Sequence, residues 1–162
     1  MTDLTKIITL GRIACRNNVS SKKRALEWLS DLIAEEQSGI TKNEVFESFF
    51  SRERLGSTGL GHGVAIPHGR IHDLDKPVAA FLQLKKGVEY DALDGQPVFL
   101  IFALLVPEEG SSEHLEILAA LAEMFSDETV CDQLRSAKTE SEIMAILGRW
   151  RGMDLEHAAG EH

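Results

Sequence analysis

A mixed β-sheet held between helices, a three-layer α/β/α domain with roughly five strands, is the α/β fold that this sequence predicts. Three observations predict it. Val98 to Val106 is almost wholly apolar, as expected of a strand covered on both faces. Pro77 to Leu84 is a second apolar run of strand length, and segments with helical spacing of apolar residues surround both runs. Asp94-Gly95 is a turn signal between the two runs, so their connection is hairpin-like and the sheet is mixed rather than all-parallel.

Taken in order, Leu4, Ile7, Ile8 and Leu10 predict a short helical turn that Gly11 breaks, and Arg12 to Val19 a short strand. Ser20 or Ser21 caps a helix in which Ala25, Leu26, Leu29, Leu32 and Ile33 recur on one face; it runs to about Gln37 and ends at Gly39. Thr41 with Glu44 is a capping box for a second helix. Val45, Phe46, Phe49 and Phe50 form its buried stripe, and it ends between Arg52 and Leu55. Val64-Ala65-Ile66 is an extended run. Pro67 closes it, because proline fixes its own φ and keeps the preceding residue extended. Ile71 to Lys76 is a polar connection. After the Pro77 strand, Lys85-Lys86-Gly87 predicts a turn and Val88 to Tyr90 a short edge strand. Pro107 ends the central strand, and Glu108 to Ser112 is a loop. Ser111 or Ser112 caps a helix carrying Leu115, Leu118, Ala119, Leu121, Ala122 and Phe125. Asp127 to Arg135 is another short helix, and Thr139 with Glu142 opens a last one through Ile143, Ile146, Leu147 and Trp150. Arg151 to His162 reads as a frayed, flexible tail.

The chain's 162 residues suit one domain. Its formal net charge of −9 removes the electrostatic basis for nucleic-acid binding. No apolar run approaches a membrane span, and no basic segment followed by an apolar core marks a secretory signal. The two cysteines, Cys15 and Cys131, lie far apart without C-x-x-C spacing. They read as buried thiols in a reducing compartment, so the expected location is cytoplasmic.

The chemistry concentrates between Arg52 and Arg70. Gly56, Gly59, Gly61 and Gly63 precede His68, and Gly69 follows it. His68 therefore sits where an apolar strand gives way to a turn that glycine permits, with its imidazole presented to solvent on a stiff support. An imidazole is nucleophilic near neutral pH and basic enough to hold a proton, so it can accept a phosphoryl group. The amides around Gly59, Gly61 and Gly63, with the Ser57 and Thr58 hydroxyls, are candidates to receive an anion. Arg52 and Arg54 fall at a helix C-terminal end near this loop, where a cation is also favourable for helix stability. His114 falls in the first turn of the helix after the central strand. If its strand end and that of His68 share a sheet edge, the two imidazoles meet, since ligands of open α/β sheets bind at such an edge. His62 and His72 read as loop histidines, and His157 and His162 lie in the tail.

Other chemistries fit less well. His68 and His72 have the spacing of a helical metal pair, but Pro67 and Gly69 argue against a helix and no carboxylate lies at a matching spacing, so no metal is expected. Neither G-x-S-x-G nor a Walker A sequence occurs, so a serine hydrolase and a nucleotide phosphoryl donor lack their motifs. No cofactor is implied.

The string Arg52-Glu53-x-Leu55-Gly56-Ser57-Thr58-Gly59-x-Gly61-x-Gly63-x-Ala65-Ile66-Pro67-His68-Gly69-Arg70 resembles an active-site signature. It belongs to the enzyme IIA components of the bacterial phosphoenolpyruvate-dependent phosphotransferase system, fructose/mannitol type, and is closest to the nitrogen-regulatory branch. The resemblance continues through Asp94-x-Gln96-Pro97-Val98, Phe102 to Pro107 and His114-Leu115, and makes residues 1–150 one such domain. It implies that His68 is the phosphorylated histidine, His114 a second active-site histidine and Arg52 the active-site arginine. It further implies an HPr-like phosphocarrier as donor and a mainly regulatory output on partners such as potassium transporters or sensor kinases. His62 stands where that family often has asparagine. Two other functions remain open: a sugar-transport IIA that donates phosphate to a IIB partner, and a binding module in which His68 is never modified.

Overall fold

The computed structural model describes residues 4–72, 74–109 and 113–149. Two 3-10 turns, Leu4–Lys6 and Leu10–Arg12, lead into β1 (Ile13–Asn17). Helices α1 (Lys22–Glu36) and α2 (Lys42–Glu53) follow, then three short strands, β2 (Gly59–Gly61), β3 (Val64–Ala65) and β4 (His68–Ile71). The long strands β5 (Val78–Val88) and β6 (Val98–Pro107) precede α3 (Glu113–Phe125) and α4 (Glu128–Ser136). Residues 140–149 form a last helix, α5. The expected caps at Ser111 and Ser112, Trp150 and the tail lie outside the described residues.

The sheet is mixed, in the order β1-β5-β6-β3-β2, with β4 also paired to β6. β5 and β6 are antiparallel, whereas β1 lies parallel to β5 and both β3 and β4 lie parallel to β6. β3 and β4 are two halves of one strand interrupted at Pro67. Proline has no N–H for the ladder, but its carbonyl accepts from Leu104 N at 2.9 Å and carries the pairing across the gap.

Strand periodicity explains why the β6 run is apolar throughout. Leu100, Phe102 and Leu104 point to one face, where Phe81, Leu121, Leu134 and Leu147 join them. Ile101, Ala103 and Leu105 point to the other, against Leu26, Leu29, Val45 and Phe49. Helices α1 and α2 thus cover one face and α3, α4 and α5 the other, giving the three expected layers. The caps are largely those expected. Ser21 accepts from Arg24 N, and Thr41 with Glu44 forms a full capping box. Thr139 accepts from Glu142 N at 3.1 Å, while the Glu142 carboxylate takes Lys138 N, one residue before the expected partner.

Three local expectations are corrected. Lys85-Lys86-Gly87 is not a turn, and Val88 to Tyr90 is not a separate edge strand: β5 runs on to Val88, with the irregularity absorbed as a register shift against β6 between Gln83 and Val88. Gly87 serves a close approach there, since a Cβ would lie 2.6 Å from Pro97 Cβ. His68 is not at a turn either. It opens β4, opposite Leu104. Finally, the glycine-rich segment before the expected Val64-Ala65 strand is no open loop: Gly59–Gly61 forms β2 and pairs with β3 in a hairpin, turned through His62 and Gly63 at positive φ.

Candidate functional site

Helix α2 ends on two neighbouring charges, Arg52 and Glu53. Glu53 turns inward and is buried. Its Oε1 pairs with Lys22 Nζ at 2.9 Å and accepts from Thr58 N at 3.1 Å. Its Oε2 accepts from the Thr58 hydroxyl and, at 3.4 Å, from Tyr90 OH. Burial, with the Glu53 charge second, pushes the Tyr90 phenol far above its usual range, so it stays a donor. This network anchors the chain just after α2, and Ser57 adds to it by donating to Tyr90 O at 2.9 Å.

Arg52 turns the other way. Its Nη1 donates to Gly56 O at 2.9 Å, and its Nε donates to His68 Nε2 at 3.3 Å. An arginine N–H only donates, so Nε2 of His68 is the acceptor and carries a lone pair. Nδ1 lies 3.0 Å from Ile66 O, which only accepts, so the proton sits on Nδ1. Pro67 supports this contact by fixing the backbone between the two residues. Burial lowers the His68 pKa below its usual value, and the Arg52 charge lowers it further. The ring is therefore neutral at pH 7, and its unprotonated nitrogen, Nε2, is the one beside Arg52.

Gly69 sets the distance between α2 and β4. A Cβ there would lie 2.9 Å from Ser48 Cβ and 3.0 Å from Ser48 backbone carbon. Only glycine lets the helix that carries Arg52 approach the strand that carries His68 this closely. Ser48 Oγ donates to Arg70 O at 2.8 Å and fastens the two elements together.

A second imidazole faces the same cleft. His114, in the first turn of α3, accepts through Nε2 from Arg70 Nη2 at 3.3 Å. Its Nδ1 therefore carries the proton, and that atom is buried with no partner among the described residues. The cleft, of about 360 Å³, is lined by Arg52, His68, Arg70 and His114, with Leu55, Leu115 and Leu118 as its apolar rim. Leu55 is 84% and Leu115 61% exposed. No carboxylate lines it among the described residues. In a chain of net charge −9, this is a pocket built for negative charge.

The structure thus brings together Arg52, His68 and His114. The five glycine-segment candidates fall elsewhere, and none is among the residues lining the cleft. Ser57 and Thr58 hydroxyls are engaged behind the site, Gly59 backs onto Ala92, and Gly61 and Gly63 take positive φ in the hairpin. Arg54 stacks over Phe50. Sequence reasoning missed Arg70. Its proximity to His114 depends on β4 being a strand that pairs with β6, whereas a turn was expected there. Glu53 was also missed, because α2's apolar stripe gave no sign that its last turn was buried.

The family model for the phosphoenolpyruvate-dependent sugar phosphotransferase system, EIIA 2, matches residues 6–150. The chain belongs to this EIIA type-2 family. Among its relatives, the nitrogen regulatory protein of Pseudomonas aeruginosa is 44% identical over 147 residues, covering 91% of this chain and 96% of that protein. That of Escherichia coli K12 is 42% identical over 145 residues, covering 89% and 86%. The crystal structure of nitrogen regulatory protein IIA-Ntr from Neisseria meningitidis superposes with a TM-score of 0.85 at 44% identity, over 89% of this chain and 98% of that one. An EIIA type-2 domain is a component of a phosphotransferase system, and the cleft described above is lined by two arginines and two histidines. No helix among the described residues is long and apolar enough to cross a membrane.

Proposed function

We propose that the chain is a cytoplasmic phosphocarrier of the nitrogen-regulatory type. It takes a phosphoryl group onto His68 from an HPr-like phosphocarrier and acts on partner proteins according to whether that group is present. The observation that carries this reading is the Nε2 atom of His68: unprotonated, facing a cation-lined cleft, with its opposite nitrogen tied to Ile66 O.

In the transfer, the Nε2 lone pair attacks phosphorus of the donor's phosphohistidine. The new N–P bond forms as the old one breaks, and the donor's ring nitrogen leaves with its electron pair. Neither ring exchanges a proton. Positive charge that develops on the His68 ring is shared through Nδ1–H with the Ile66 carbonyl. The phosphoryl group passes through a loose state with charge on its equatorial oxygens. Arg52, which rests against Nε2, moves its donors to those oxygens. His114 closes on the group from α3, held in register by Arg70. Catalysis is then positioning and fixed charge, with no metal in the step. Once attached, the group adds about −1.5 to −2 charges to the cleft, by analogy with phosphate esters. A protein surface docked on Leu55 and Leu115 would respond to that change.

The relatives that bear the nitrogen-regulatory name support the regulatory output, while the family description supports the second reading, a sugar-transport EIIA that donates to a IIB partner. The test is incubation with phosphoenolpyruvate, enzyme I and an HPr-like carrier, read by mass spectrometry. One acid-labile phosphoryl group is expected, and none on His68→Ala. A label that survives this substitution, or no label on the parent, overturns the reading. Rapid passage of the label to a IIB protein would replace the regulatory reading with the transport one.

A further inference from the structure

A second concentration of positive charge lies away from the His68 cleft. It is a cavity of about 450 Å³ beside β1, β5 and the α4–α5 junction, and its lining includes Arg16, Lys85, Arg135 and Lys138. Phe99 also lines it, and Phe99 lies five residues before Leu104, the partner of His68. At about 3.4 Å per residue, the two sites are about 17 Å apart along β6.

The four cations come from three separate parts of the chain, and one buried side chain sets their spacing. Gln83, 3% exposed, donates through Nε2 to Leu134 O at 2.6 Å and Ala137 O at 2.9 Å. Its Oε1 accepts from Arg16 N at 2.8 Å. One amide thereby clamps the β1 segment bearing Arg16 to the end of α4, which bears Arg135, and to the segment after it, which bears Lys138. It also covers carbonyls at the C-terminal end of α4, the negative pole that would otherwise repel an anion. Arg16 is held at φ 55, a left-handed backbone that a side-chain-bearing residue adopts at a cost. Arg135 lies over the Phe99 ring with 4.1 Å to its centroid, which fixes the plane of its guanidinium.

None of the four forms an ion pair among the described residues; the pairs there involve Arg12, Lys22, Arg24 and Lys42. The nearby carboxylates are turned to backbone donors: Glu140 accepts from Cys15 N at 3.3 Å and Glu142 from Lys138 N at 3.2 Å. Glu128 and Asp132 line the adjoining cleft on the other side of Arg135. Four like charges held around one concavity, in an acidic protein, repel one another until a negative ligand enters.

We propose that this cavity is a binding site for a small organic polyanion carrying phosphate or carboxylate groups, separate from the phosphoryl-accepting cleft. Arg135 and Arg16 supply planar, multidentate donors, and Lys85 and Lys138 supply point charges. The volume falls in the range usual for small-molecule sites. Nothing in the assignment depends on His68 accepting a phosphoryl group.

Isotope-labelled full-length protein titrated with sodium pyrophosphate, and separately with citrate, at constant ionic strength tests it by NMR. Saturable amide shifts centred on Arg16, Lys85, Ser136 and Lys138 are expected with at least one of the two probes, and the tighter probe identifies the preferred group. The Arg16→Ala/Arg135→Ala double variant should weaken that binding at least about tenfold. Its spectrum elsewhere and its acceptance of phosphoryl label should match the parent, and Lys42→Ala should bind as the parent does. Shifts that sodium chloride reproduces, shifts centred on Arg52, His68 and Arg70, or unchanged affinity in the double variant would each overturn the proposal.

Discussion

Arg52 and Glu53 are adjacent in the last turn of α2, yet they live in opposite environments. Glu53 is buried and surrounded by partners: Lys22, Thr58 and Tyr90 satisfy both of its oxygens. Arg52 faces the cleft with one bond to Gly56 O and one long bond to His68. The inward charge is saturated and holds the following segment in place. The outward one keeps donors in reserve, next to the unprotonated nitrogen of His68. A charge saturated by its own fold is structural, whereas one left under-satisfied in a positive cleft is available to an incoming group.

Four experiments break or sharpen this contrast. The largest effect is expected from Glu53→Ala, which leaves Lys22 and the Thr58 and Tyr90 donors without their shared acceptor. Removing one member of a buried pair costs upwards of about 3 kcal/mol, and the low end applies because the Lys22 side chain is still 20% exposed. Denaturant unfolding measures this, and a loss comparable to that of a surface substitution would dissolve the contrast. Arg52→Ala should do the reverse: a stability loss of about 0.5–1 kcal/mol, but phosphoryl transfer slower by about a hundredfold or more. Stopped or quenched transfer assays beside the same unfolding curves separate the two quantities.

Gly69→Ala tests the support that both sides share. The added methyl meets Ser48, in both side chain and backbone, so α2 must move off β4. Overpacking of this kind costs about 1–3 kcal/mol, and the shift of Arg52 away from His68 should slow transfer beyond what the stability loss explains. The smallest effect concerns pH. The folded-state pKa of His68 lies below its ordinary value, chiefly through burial, so the unfolded chain takes up that proton first as pH falls. Stability therefore declines as pH drops through the ordinary histidine range near about 6.5 and levels off below the lowered native value. Comparing unfolding free energies of the parent and His68→Ala across this range isolates the contribution. A parent curve no steeper than the variant's would show that His68 is not held neutral by the fold.

Much of the architecture was legible beforehand for identifiable reasons. The Val98–Val106 run could only be a doubly covered strand. The Ser21 cap and the Thr41–Glu44 box marked helix starts, because capping depends on a few local atoms. The errors lay where local signals met long-range pairing. Lys85-Lys86-Gly87 has turn composition, but the ladder with β6 and the packing of Gly87 on Pro97 draw it into a strand. The glycines before His68 look like an anion cradle, but they build the β2–β3 hairpin, the Ser57 and Thr58 hydroxyls are engaged by Tyr90 O and Glu53, and none of these residues lines the His68 cleft.

By itself, the sequence determined the layers, the two long strands and the residue types that can hold and donate to a phosphoryl group, because periodicity, capping and side-chain chemistry are properties of short stretches. Only the tertiary structure decided which of those residues share a cleft. The placement of Arg70 beside His114, the contact of Arg52 with His68 and the inward turn of Glu53 depend on β4 pairing with β6 and on how α2 packs against Gly69 and Tyr90. Those contacts join segments far apart in the chain, so no local pattern encodes them.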